Sequence, residues 1–69
     1  MPESVYKIVE IVGASSESWE KAAAAAVQRA SSSLRDLRIA HVVEQDIQIE
    51  DGKIKAYRTK LKLSFKMED

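Results

Sequence analysis

The sequence contains no cysteine. Disulfide bonds and thiolate metal centres are therefore excluded as sources of stability. Its single histidine, His41, excludes an all-imidazole zinc site within one chain. Glycine is confined to Gly13 and Gly52, so there is no glycine-rich phosphate loop, and neither a Ser-His-Asp set nor a His-x-x-x-His pair is present. Neither sign of charge dominates: 11 basic residues balance 11 acidic ones, whereas nucleic-acid modules are usually basic. No apolar run approaches the ~20 residues of a membrane span. The opening residues Met1-Pro2-Glu3-Ser4 lack the charged leader and apolar stretch of a secretory signal. The expectation is a cytoplasmic protein that is not an enzyme and that binds neither nucleic acid nor membrane.

What remains is one domain over residues 1–69. A chain this short buries only roughly 60% of its unfolded surface. Small domains need a disulfide, a metal or a partner. With the first excluded, self-association is the simplest source of added stability.

The segment from Val5 to Val12 is β-branched and aromatic, which favours a strand. Val5, Val9 and Ile11 fall on one face and Tyr6, Ile8 and Val12 on the other, so both faces require cover. Gly13 is expected to break this strand. Ser15 or Ser16 is then expected to cap a helix, with Glu17 and Glu20 near its positive end. Apolar residues recur at Trp19, Ala22, Ala23, Ala26, Val27, Ala30, Leu34 and Leu37, the 3.6-residue period of an amphipathic helix. The stripe is mostly alanine, which lets the helix lie close to a sheet. Trp19 reads first as a core anchor in the first turn, with ligand stacking as the alternative.

A second strand is expected over Ile39 to Ile49, ending in an Asp51-Gly52 turn. From Ile54 to Met67 the alternation is strict. Tyr57, Thr59, Leu61, Leu63, Phe65 and Met67 face one way, and Arg58, Lys60, Lys62, Ser64 and Lys66 the other. The order β-α-β-β predicts an α+β fold: a three-stranded antiparallel sheet with the last strand central and the helix on one face. The basic stripe is expected to pair with Glu10, Glu44, Asp46 and Glu50 on neighbouring strands. His41, mid-strand and without a catalytic partner, reads as a partly exposed strand residue.

The strings VYKIVEIVGASSESWEKAAAAAVQRA, RIAHVVEQD and KAYRTKLKLSFKMED resemble the dodecin family along nearly the whole chain, including a Phe-x-x-Glu ending. The resemblance implies a sheet that wraps the helix, twelve subunits in a hollow shell, and a flavin or coenzyme A as ligand. In flavin-binding members a tryptophan opens the second strand and a glutamine follows the tyrosine of the third. Here those positions are Ile39 and Arg58. The stacking contribution, roughly 0.5–1.5 kcal/mol per aromatic pair beyond area burial, is lost at an aliphatic residue, so flavin binding is expected to be weak or absent.

The segments SWEKAAAAAVQRA, RIAHVVEQD and YRTKLKLSFKM are similar to an actinobacterial subgroup, the calcium dodecins. That similarity implies calcium or magnesium as ligand, with Glu17, Glu44 and Asp46 as candidate oxygen donors. The alternative for these carboxylates is pairing with lysine. Calcium takes six to eight oxygens, so any such site is expected to lie between subunits and to include water. The function that follows is a homododecameric shell that stores or buffers a small ligand or divalent cation; the alternatives are a ligand-free structural or interaction oligomer, or flavin or coenzyme A sequestration by a divergent pocket.

Overall fold

The computed structural model describes residues 3–67. Met1, Pro2 and the Glu68 of the Phe-x-x-Glu ending lie outside the described residues. The elements are β1 (Tyr6–Ser15), α1 (Trp19–Ser31), β2 (Leu37–Glu50) and β3 (Lys53–Lys66). They form one antiparallel sheet in the order β1-β3-β2. The central position of the alternating strand is the one its sequence pattern predicts.

β2 and β3 meet in a two-residue turn. Asp51 and Gly52 have φ of 52° and 73°, the left-handed pair of a type I′ turn, whose twist matches that of the strands. β1 stops at Ser15, opposite Tyr57. Beyond that row β2 and β3 continue alone as a two-stranded arm, and the molecule measures 53 × 20 × 14 Å.

Gly13 does not break β1. It lies buried inside the strand, opposite Thr59. A Cβ at this position would sit 2.1 Å from the Ala22 carbonyl oxygen and 2.9 Å from the Ala26 Cβ. The glycine is thus a contact point at which the helix backbone rests on the strand, and the alanine stripe is its counterpart.

The helix start also differs from the sequence reading. Ser18 is the N-cap, its Oγ accepting from the Lys21 amide at 3.0 Å. Ser15 is still in β1 and accepts from the Glu17 amide instead. Glu17 therefore precedes the helix, and Glu20 is the acidic residue of the first turn. At the other end, Leu34 and Leu37 fall outside the helix. Ser31 Oγ donates to the Val27 carbonyl and Ser32 Oγ to the Arg29 carbonyl. Such local bonds are the reason serine is a poor helix continuer. Asp36, at φ 61°, then turns the chain so that Leu37 opens β2.

The core is small. Ala26, Ala30, Leu61 and Leu63 are buried, with Val9, Ile11, Ala23, Val27, Leu34 and Leu37 packed around them. Burying a leucine contributes about 1.5–3 kcal/mol. Thr59, fully buried, donates its hydroxyl to the Trp19 carbonyl at 3.1 Å. The helix covers β1 and β3 far more than β2. Val42 and Ile47, which share rows with Leu61 and Tyr57 on the helix side of the sheet, are consequently 44% and 36% exposed. No helix among the described residues is long and apolar enough to cross a membrane.

Candidate functional site

The sheet face away from the helix is built in rows. Strict alternation along β3 sends Arg58, Lys60, Lys62 and Ser64 to this face, and register sets their neighbours. Ser64 lies between Ile8 and Ile39, Lys62 between Glu10 and His41, Lys60 between Val12 and Glu44, and Arg58 between Ala14 and Asp46. A register shift between Gln48 and Ile49 sets Asp46 and Glu44 outward, opposite Arg58 and Lys60, and a second shift between Val42 and Glu44 returns Val42 to the helix side opposite Leu61.

Glu44 and Asp46 flank one cavity of about 190 Å³, lined also by Val12, Arg58 and Lys60. Arg58 clamps Asp46 in a two-bond fork: Nε donates to Oδ1 at 2.7 Å and Nη2 to Oδ2 at 2.8 Å. Glu44 has a looser partner, Lys60 Nζ at 3.4 Å. The hydrogen bonds from Arg58 hold the Asp46 carboxyl below its ordinary value of 3.8. The charges of Arg58 and Lys60 act in the same direction, and desolvation opposes them. The same hydrogen bonds, with the Asp46 charge, raise the Arg58 guanidinium above its ordinary value.

On the reverse side of the same strand position, the Trp19 indole Nε1 donates to the Asp46 carbonyl at 3.0 Å. Its ring stands edge-on to Tyr57, centroids 5.1 Å apart. Trp19 is half-buried and anchors the first turn of α1 against β2 and β3, as its core-anchor reading expects. This tie between the helix and a candidate ligand strand leaves no trace in the sequence pattern.

The predicted site residues are only partly brought together. Glu44 and Asp46 share the cavity. Glu17 lies in the loop before α1 and pairs with Lys21 Nζ at 2.6 Å. Among the described residues no three carboxylate or imidazole side chains converge as a metal site. One chain brings two carboxylates to the cavity, short of the six to eight oxygens of a calcium shell. The expected charge pairing across the sheet is present at Asp46–Arg58 and Glu44–Lys60, whereas Glu50 pairs with Lys55 at 3.4 Å. His41 is exposed, as expected of it.

The two flavin positions share the outward face but not a site. Ile39 is opposite Ser64, six residues along β3 from Arg58, or about 20 Å at ~3.3 Å per residue. Ile39 is 66% exposed, and Arg58 is engaged with Asp46. Within one chain these two side chains cannot hold the same ring.

The family model for Dodecin matches residues 5–68. A calcium dodecin of Mycobacterium tuberculosis is 57% identical over 65 residues, which are 93% of this chain and 90% of that protein. The structure of a dodecin from Streptomyces coelicolor superposes with a TM-score of 0.92 at 38% identity, covering 100% of this chain and 99% of the other. A crystal structure of a calcium-chelating calcium dodecin from Mycobacterium tuberculosis, described as having a novel calcium-binding site, gives a TM-score of 0.83 at 56% identity, with 94% and 93% covered.

Proposed function

This chain belongs to the dodecin family, and on that premise we propose that it forms a closed homododecameric shell that binds and buffers a divalent cation, calcium before magnesium. The observation that carries the cation reading is the shared cavity of Glu44 and Asp46 on the outward sheet face, in a chain 57% identical to a calcium dodecin. Calcium accepts more protein oxygens and more varied geometry than magnesium. A set of two carboxylates per chain, completed by water and by a carboxylate such as Glu17 of a neighbouring copy, fits that preference. The protein works by binding and not by catalysis, and a cytoplasmic shell is the setting this reading favours.

Assembly supplies what the single chain lacks. Its core rests on two leucines and three alanines, while Val42, Ile47, Ile49 and Ile54 stay exposed. An isolated two-stranded hairpin is marginal in water, so the β2–β3 arm needs a neighbour. Burial of these residues between copies supplies stability that the monomer cannot reach, and folding becomes tied to assembly.

The test is native mass spectrometry of the purified particle, followed by calcium titration calorimetry. The expected result is a particle of twelve chains that binds calcium, with Glu44→Gln removing most of the heat. A stable folded monomer at micromolar concentration overturns the shell. A shell without calcium uptake favours the ligand-free structural oligomer instead.

A further inference from the structure

Resting on the cation reading above, we infer that Arg58 is an internal competitor of the divalent ion: guanidinium and metal exclude each other at the Asp46 carboxylate, and Arg58 thereby sets the affinity of the site.

The geometry leaves little room for sharing. Both Asp46 oxygens already accept from Arg58, at 2.7 and 2.8 Å. Calcium approaches its oxygens to 2.3–2.6 Å. An ion at that distance from either oxygen places a double positive charge within about 4–5 Å of the guanidinium, where like charges repel even in high dielectric. The planar fork that gives the Arg58–Asp46 pair its strength also commits both oxygens at once.

The second cation over the cavity differs in kind. Lys60 touches Glu44 through one contact at 3.4 Å. An ammonium on a flexible stem yields to an incoming ion with little loss of geometry. Glu44 is therefore the accessible ligand and Asp46 the guarded one. Counting Glu44, Asp46, Arg58 and Lys60, the cavity lining is neutral, so a divalent ion meets no net attraction until one cation leaves. Within this chain Asp46 alone holds Arg58: both of its hydrogen bonds go to that carboxylate, and its side chain is 47% exposed.

The experiment is calcium calorimetry on the intact assembly of the unaltered protein, Arg58→Gln and Arg58→Lys, each first shown to keep its oligomeric mass. Removing one charge about 5 Å from a divalent ion in water is expected to tighten binding about tenfold in Arg58→Gln. Arg58→Lys, which keeps the charge but not the fork, is expected to fall between. The nitrogen-15 resonance of the Arg58 Nε–H gives a direct second readout: calcium saturation is expected to abolish its protection from solvent exchange. Tighter binding in Arg58→Gln supports the inference, including the case in which the unaltered protein binds too weakly to measure. Equal or weaker binding by Arg58→Gln, with calcium still taken up by the unaltered protein, overturns the competition while leaving the cation reading in place. Absence of binding in all three overturns both.

Discussion

The Trp19 indole donates its N–H to the main-chain carbonyl of Asp46 at 3.0 Å, so one strand residue is held by the helix on one side of the sheet and by Arg58 on the other. The Thr59 hydroxyl, bonded to the Trp19 carbonyl, fixes the other end of that link. Trp19→Phe keeps an aromatic ring near Tyr57 but removes the donor. A loss of about 1 kcal/mol, the usual net worth of such a bond, is expected in urea unfolding. As the chain's one tryptophan, Trp19 also reports on the site: calcium is expected to shift its emission, and an emission unchanged at saturating calcium would show that the ion binds away from Asp46.

Gly13→Ala places a methyl group 2.1 Å from the Ala22 carbonyl oxygen. Backbone stands on both sides of that contact, so no side chain can turn aside to relieve it. Overpacking of this kind costs about 3 kcal/mol or more. Thermal unfolding of the variant is expected to show a large fall in melting temperature or a loss of soluble assembly. A melting temperature within a degree or two of the unaltered protein would mean that the helix does not rest on β1 at this point.

The Asp46 carboxyl lies below its ordinary 3.8 in the folded chain because Arg58 donates two hydrogen bonds to the ionised form. A depressed folded value means that the pair contributes stability above pH 3.8. The contribution fades as the pH falls below 3.8 and through the lowered folded value. Carboxyl carbon-13 NMR is expected to find the Asp46 midpoint below 3.8, and Arg58→Gln is expected to raise it. A folded-state midpoint at or above 3.8 would show that the ion pair does not persist in solution.

Riboflavin is expected to lose little fluorescence on titration with this protein, since Ile39 offers no ring face and Arg58 is held by Asp46. Ile39→Trp combined with Arg58→Gln is expected to restore quenching, with each substitution alone having a smaller effect. Strong quenching by the unaltered protein would show that another surface receives the ring.

Much of this architecture is legible in the sequence because it depends on local pattern. The alternation from Tyr57 to Phe65 and the Asp51-Gly52 turn each state their own conformation, and together they place β3 at the centre. Gly13 is not legible in this way. A glycine before a run of serines looks like a strand end, whereas its actual cause is the helix backbone at Ala22, which leaves no room for a Cβ. Three serines in four positions, Ser15, Ser16 and Ser18, offer rival caps, and the choice of Ser18 depends on where the strand releases the chain. The pairing of Asp46 with Arg58 is not legible either: counted straight from the turn Asp46 would face Tyr57, and a register shift between Gln48 and Ile49 moves it opposite Arg58. The Trp19–Asp46 link spans 27 residues and depends on how the helix settles on the sheet, which no periodicity records.

The pairing of Tyr6 with Lys66 has a consequence for the growing polypeptide. A hairpin such as β2–β3 closes within ~1–10 μs. β1, by contrast, is made first and pairs with the strand made last. At ~5–20 residues per second of synthesis, it waits about 3–12 s before β3 exists. Through that interval Tyr6, Ile8, Val9, Ile11 and Val12 have no partner strand within their own chain. Lys7 and Glu10 interrupt this run with charge, and such residues act as gatekeepers against premature strand-to-strand association. The two side chains that add nothing to the folded core thus guard the segment that must stay single the longest.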